Sequence, residues 1–351
     1  MTPSFEVVIP TLGRPSLARG LVALAANQPR PEAVHVCLDA RAARVALPAS
    51  APRALRERIS VLRAARPGPA SARNAGWRAA RSPWVAFVDD DVVVPPGWTT
   101  ALANDLARAA PDVAGSQGRV TVPRVGARPL TDWERNVGAL ETARYATADM
   151  AYRRAVLAEV GGFDERFVRA YREDSDLALR VLAAGHRIVT GKRWVTHPVG
   201  PASFWESVGR QAQNADDVLM RVLHGPAWRA VAGAPQGRKR RHAAVTAVGI
   251  AGALGLLAGR PRAGACCLGA WALGVGELAW ARIAPGPRDR GEVTKIVATS
   301  ALIPAAASWH LLWAWPRALR LDRAASSGGS PARRKAPVPV REDGAVQAPR
   351  A

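Results

Sequence analysis

The chain has 351 residues, 48% of them hydrophobic, and a formal net charge of +21 carried almost entirely by arginine. That is ample apolar material for a core, with room for one large domain and a smaller appendage. The basic residues are scattered and show no aromatic–basic repeat. This argues against nucleic acid as a partner and for an anionic membrane surface or a phosphorylated substrate.

The three cysteines are Cys37 and the adjacent pair Cys266–Cys267. They form neither a disulfide framework nor a zinc site, and no signal peptide precedes the first strand, so a reducing cytoplasm is expected.

The chain opens with a short apolar strand, Phe5 to Pro10, a loop Thr11 to Pro15, and a helix that Ser16 can cap. Val34 to Asp39 reads as a second strand ending in a carboxylate. Arg58 to Leu62 is a third, followed by a turn at Arg66–Pro69 and a helix from Ser71 to Arg81. Trp84 to Val88 is a buried strand that runs into Asp89–Asp90–Asp91. Three adjacent carboxylates are tolerated mainly where a cation neutralises them. If the strand alternation continues, Asp89 and Asp91 share a side and face a divalent metal and a phosphate, with Asp90 on the other side; the alternative is a solvated acidic turn. The β-α-β order predicts a mostly parallel sheet flanked by helices, with ligands beyond the carboxyl ends of its strands. Thr11, Asp39 and the aspartates all lie there.

Further on, a helix is expected from Thr100 to Ala110 and a strand from Arg119 to Pro123. A loop or short helix is expected within 124–147, and a strand from Thr147 to Arg154. Gly161–Glu165 is a turn, Tyr171–Asp176 opens a helix, and Trp194–Thr196 is strand-like before His197.

Val8–Thr11, Asp39, Gly68–Gly76, Phe87–Asp91, Gly161–Glu165 and Glu173–Arg180, in this order, resemble the family 2 glycosyltransferases of GT-A fold. The likeness spans about residues 4 to 225. It implies a Rossmann-like α/β catalytic domain and an inverting transfer of a sugar from a nucleotide-diphosphate donor, with Mg2+ or Mn2+. It implies that Pro10, Thr11, Asp39, Arg73, Asp89 and Asp90 bind the nucleotide sugar. Asp39 matches the position that hydrogen-bonds the base. Arg73 would pair with phosphate or with Asp39. Asp89 and Asp91 would hold the metal, with His197 as a possible further ligand; His197 is otherwise structural. Asp174 would be the general base that takes the acceptor hydroxyl proton. Asp149, Gly162 and Glu173 would line the sugar or acceptor side, Asp149 serving otherwise as a cap of the next helix.

Beyond Pro226 the character changes. Gly237 to His242 is a basic cluster, and apolar segments follow at 243–259, 263–284 and 293–315. The first two suggest a membrane hairpin with the basic flanks inside; the third spans or lies in the interface with its tryptophans at headgroup level. The expected division is a catalytic domain at 1–228, a basic linker at 229–242, hydrophobic helices at 243–322 and a disordered tail at 323–351. The expected location is the cell membrane with the catalytic domain on the cytoplasmic side, and the acceptor a lipid-linked, envelope or other glycan. The alternatives are an idle nucleotide-sugar-binding membrane scaffold and a sugar nucleotidyltransferase. The second would want a Gly-rich, basic triphosphate loop, of which Thr11–Pro15 offers little.

Overall fold

The computed structural model describes residues 3–44, 53–124 and 126–327. Its elements are β1 (Phe5–Thr11), α1 (Ser16–Ala25), β2 (Val34–Leu38), α2 (Arg53–Arg56), β3 (Ile59–Arg63), α3 (Pro69–Ala79), β4 (Trp84–Val88), α4 (Trp98–Ala107), β5 (Val113–Thr121) and α5 (Asp132–Gly138). They continue with β6 (Asp149–Arg153), α6 (Arg154–Glu159), α7 (Glu173–Ala183), β7 (Arg187–Thr196), α8 (Glu206–Gly209), α9 (Asn214–His224) and α10 (Trp228–Ala232). Three long helices close the order: α11 (Lys239–Leu257), α12 (Pro261–Ile283) and α13 (Arg290–Ser327).

One sheet holds all seven strands in the order β3-β2-β1-β4-β6-β5-β7. The β3-β2-β1-β4 half is parallel, as is β5 with β7; β6 runs antiparallel to both of its neighbours. This is the expected mostly parallel sheet with one reversed strand. β1, β2 and β4 are buried on both faces, which is why they read as unbroken apolar runs rather than alternating ones. Phe5, Val7, Ile9, Trp84, Ala86 and Val88 meet α1 and α4 on one face. Val8, Cys37, Val85 and Phe87 meet α3 and α7 on the other. α3 lies directly on the sheet because residue 76 is glycine. A Cβ there would stand 2.4 Å from Val8 Cγ1. α3 begins two residues before the expected Ser71 because Pro69 supplies a helical φ at its first position.

The 124–147 stretch contains a true helix. Thr131 caps α5 through a capping box with Glu134. β5 and β7 are longer than expected, starting at Val113 and Arg187.

Asp149 does not line an open site, nor does it cap α6, whose N-cap is Arg153. It is fully buried on β6. Its Oδ1 accepts Arg193 Nε at 2.8 Å and its Oδ2 accepts Trp98 Nε1 at 3.0 Å. Arg193 is buried as well and also donates to Ser116 Oγ at 2.8 Å and Asp105 Oδ2 at 3.1 Å. The expected acceptor-facing aspartate is therefore one half of an ion pair beneath the sheet. Gly118 leaves it room, since a Cβ there would sit 2.0 Å from Asp149 Oδ2.

α11 and α12 form the expected antiparallel hairpin. Glycines let them touch: a Cβ at Gly255 would lie 3.1 Å from Gly264 Cα. α13 crosses the base of the hairpin and lies along α9. Ile296, Ser300, Ile303, Ala307, Ala314 and Ala318 form its buried side. Trp309, Leu312 and Trp313 stand 61%, 73% and 70% exposed on the other. Among the described residues, the helical stretches long and apolar enough to cross a membrane are Pro261–Ile283 and, within α13, Arg290–Arg320; α11, the first arm of the expected membrane hairpin, is not one of them. α13 continues to Ser327, into the segment expected as tail; residues 328–351 of that tail lie outside the described residues.

Arg193→Leu leaves Asp149 as an uncompensated buried charge and is expected to cost about 3–5 kcal/mol. Urea unfolding followed by tryptophan fluorescence measures this; a cost within about 1 kcal/mol of zero would remove the pair from the core's support.

Candidate active site

The carboxyl ends of β1, β2 and β4 converge where the strand order reverses, the place where open α/β sheets bind ligands. Pro10 is buried within β1, and Thr11 ends that strand. The Thr11 hydroxyl donates to Asp90 Oδ2 at 2.6 Å. β4 stops at Val88, so the three aspartates form a turn and the strand alternation does not extend through them. Asp90 is 5% exposed. It shares Arg14 with Asp91, at 3.5 and 3.7 Å from Nη1. Arg14 is a half-exposed cation on the ligand edge that sequence reading passed over as loop, although its place after the first strand marks it.

Asp39 follows β2. Its Oδ1 accepts the Arg41 backbone N–H and Nε, and its Oδ2 accepts Arg41 Nη2 and the Gly68 N–H, all at 2.8–2.9 Å. The Arg41 guanidinium foremost, with these backbone bonds, holds its carboxyl down to about 2. Arg73 therefore does not pair with Asp39.

Arg73 bridges the two halves of the site. It is 2% exposed in α3. Its Nη2 donates to Asp89 Oδ1 and its Nη1 to Glu173 Oε1, both at 2.8 Å. Its guanidinium also lies over the Phe163 ring, 5.5 Å from the centroid. Asn74, the next residue, accepts the Phe163 N–H and donates to Phe163 O, both at 2.9 Å. Gly162, at φ +70, is a buried spacer in this turn. A Cβ there would lie 2.6 Å from Asn74 Oδ1. It holds the turn against α3 rather than facing the cleft.

Arg172 precedes α7 at φ +74, a left-handed conformation that costs a non-glycine residue roughly 1–2 kcal/mol. No sequence signal marks it. The helix then begins with Glu173, which reaches Arg73. Glu173 is 3% exposed, and its Oε2 has no hydrogen-bond partner. Asp174 beside it is partly exposed. Its hydrogen bonds, from the Ser175 N–H and hydroxyl, fall on Oδ1. Burial raises the pKa of both carboxyls, and the Arg73 charge opposes that rise. Asp176 is structural, held by Arg180 and His224.

His197 meets Asp91 because Val93 and Thr196 form an antiparallel bridge. Its Nε2 stands 3.5 Å from Asp91 Oδ1, and its Nδ1 stands 3.2 Å from Pro198 O. Donation from Nδ1–H leaves Nε2 of the neutral ring as an acceptor facing a carboxylate. A shared proton, a bridging water or a metal ion can satisfy both groups. Burial first, then the neighbouring Asp89, raises the Asp91 carboxyl pKa. The donor set therefore fits a divalent cation that takes oxygen and imidazole ligands. Among the described residues no three His, Cys, Asp or Glu side chains converge, so the remaining ligands would be donor oxygens and water. A pocket of about 270 Å3 opens between Val122–Arg124, α5 and Val199; neither Asp91 nor His197 lines it.

The family model described as Glycosyl transferase family 2 matches residues 6–172. A pre-mycofactocin glycosyltransferase of Mycobacterium tuberculosis is 32% identical over 134 residues in each of two strains, covering 34% of this chain. The chain spans 28% of the length of that relative. Among solved structures, the mannosyltransferase PcManGT of Pyrobaculum calidifontis, in complex with GDP-Man and Mn2+, superposes with a TM-score of 0.50 at 18% identity. The match covers 89% of this chain and 88% of that one. It shows a shared GT-A fold.

The native chain holds the Glu173 proton more tightly than the unfolded chain does, so this group loses stability as pH rises through its raised pKa. Arg73→Met removes its counter-charge. The expected cost is about 3–5 kcal/mol at pH 9.5, above the Glu173 pKa of about 8, and clearly less at pH 6, where Glu173 is protonated. Urea midpoints at the two pH values measure the difference; equal losses would contradict a desolvated acid.

Proposed function

We propose, for a chain whose residues 6–172 match the model of glycosyl transferase family 2, that it is an inverting glycosyltransferase of that family using a nucleotide-diphosphate sugar. The observation that carries this reading is the Arg73 bridge from Asp89 to Glu173. It joins the acidic turn after β4 to the acidic first turn of α7 in one cleft at the carboxyl edge of the sheet. The first turn has the makings of a diphosphate and metal site, and the second carries a base.

Asp174 takes the proton of the acceptor hydroxyl while that oxygen bonds to the anomeric carbon. The bond from that carbon to the donor diphosphate breaks, and its electron pair leaves with the nucleotide. Burial raises the Asp174 pKa, which makes it a stronger base than an ordinary carboxylate. Asp91 and His197 would hold Mg2+ or Mn2+, with Asp89 toward the ribose or a bound water. When bound, the ion supplies Lewis-acid stabilisation of the charge on the leaving group. Arg14, 53% exposed at its side chain, adds a mobile positive charge at the same edge. Thr11 and Asp90 brace the turn. The archaeal mannosyltransferase of the same fold, with GDP-Man and Mn2+, supports a nucleotide-sugar and metal reading. The acceptor class is a lipid-linked, envelope or other glycan.

The C-terminal helices support a location at the membrane. The α11–α12 hairpin enters the cytoplasmic membrane from the inner face, with Arg238–Arg241 and Arg288–Arg290 at its base among anionic headgroups. α13 is docked lengthwise on the catalytic domain and presents its stacked Trp309–Trp313 pair outward, ring centroids 5.7 Å apart. That side suits the interfacial layer.

With Mn2+ and a panel of UDP- and GDP-sugars, the purified chain is expected to release nucleotide from one donor. Asp174→Asn should lower that turnover by about 10²–10⁴-fold while calorimetry finds nucleotide binding intact; a variant as fast as wild type overturns the base assignment. In a flotation assay the full chain should rise with phosphatidylglycerol vesicles, and Trp309→Ala with Trp313→Ala should lower the bound fraction. Equal recovery in the soluble pool with and without residues 243–351 would end the membrane reading.

A further inference from the structure

Outside the cleft lies a buried charge cluster to which the chemistry above assigns no role. Its centre is Asp217 on α9, 6% exposed. Oδ1 accepts Arg172 Nε at 3.0 Å. Oδ2 accepts Arg229 Nη2 and stands against Lys239 Nζ, both at 2.6 Å. One carboxylate thus collects three cations from three different places: the cap of α7, the short helix α10, and the first residue of the α11–α12 hairpin. The neighbouring Asp216 is occupied by Arg169.

Arg172 is the residue this cluster restrains most. Besides Asp217, its Nη2 donates to Tyr171 Oη at 2.7 Å. Its guanidinium lies over the Tyr171 ring at 4.3 Å and the Trp228 ring at 4.9 Å. The backbone at that residue is left-handed, a conformation that persists only where the surroundings hold it. Asp174 follows two residues later. Without the Asp217 carboxylate, Arg172, Arg229 and Lys239 would face one another with no shared anion. Arg172 would then lose the contact that fixes its head group, and Lys239 the contact that fixes the hairpin's start.

We infer that Asp217 is a positioning residue, tying the turn that bears Asp174 to the first residue of the membrane hairpin, so that seating the hairpin and placing the base are one mechanical event. The inference rests on the reading of Asp174 as base and of α11–α12 as a membrane hairpin. It explains why a helix start far along the chain is anchored by a buried ion pair rather than left on a linker.

Hydrogen exchange of the full chain, read on peptides spanning residues 169–177, tests the tie without relying on activity. Lys239→Met keeps the stem of the side chain and removes its charge, and Lys239 is accessible enough to be replaced without emptying the core. Exchange at 169–177 should rise several-fold in Lys239→Met and in Asp217→Asn, and Asp217→Glu should restore part of the protection. Phosphatidylglycerol vesicles should slow exchange there in wild type and not in Lys239→Met. With GDP-mannose or UDP-glucose as donor, kcat should fall about tenfold in both variants with donor KM within twofold. Unchanged exchange at 169–177 in Lys239→Met overturns the inference, as do vesicles that slow both proteins equally or neither. A fully active Asp174→Asn protein would instead sink the base assignment, a result the exchange data do not depend on.

Discussion

The site depends on one buried guanidinium. Arg73 sits on a helix that glycine 76 lets press against the sheet, and it holds Asp89 with one nitrogen and Glu173 with another. The two carboxylates come from segments far apart in the chain, and in water they would repel. A fixed, desolvated cation between them turns that repulsion into a constraint on how the end of β4 and the start of α7 meet. It also leaves the cleft with more negative than positive charge, because Asp90, Asp91 and Asp174 lie outside the bridge. A surplus of that kind is what a metal ion and a basic edge residue such as Arg14 are suited to offset.

The same economy recurs away from the cleft. Asp149 and Arg193 lock β6 to β7 and α4, and Asp217 gathers Arg172, Arg229 and Lys239. With arginine so abundant, many of the buried charges are carboxylates held by guanidinium groups whose planar forks reach two or three acceptors at once. Part of the large positive charge is therefore structural. Other basic residues flank the base of the hairpin, at Arg238–Arg241 and Arg288–Arg290. Arg282 there joins the end of α12 to Asp132 of α5 at 2.7 Å, so the hairpin is fastened to the catalytic domain at both of its ends.

Much of this was legible in residue order. Buried parallel strands announce themselves as apolar runs, and loops at their carboxyl ends gather polar residues, so the sheet, its functional edge and the acidic turn after Val88 could all be read. The roles of single carboxylates were less legible. Asp149 and Asp174 look alike in sequence, each an aspartate beside an element boundary. One is sealed against Arg193 and Trp98; the other keeps a carboxylate oxygen free of protein partners. Gly162 reads as a contact and serves as a spacer. Arg14 and Arg172 drew no notice, the second because a left-handed backbone at an arginine follows from its packing and not from its type.

By itself the sequence determined the alternating architecture, the resemblance to a glycosyltransferase family, the acid-rich turns and the apolar helices toward the C-terminal side. These follow from periodicity, strand burial and short motifs, all local along the chain. Only the tertiary structure decided which carboxylates meet which cations. Pairing distances depend on how sheet, helices and hairpin pack, and neither a guanidinium's partner nor a carboxyl's solvation is written in its neighbours along the chain.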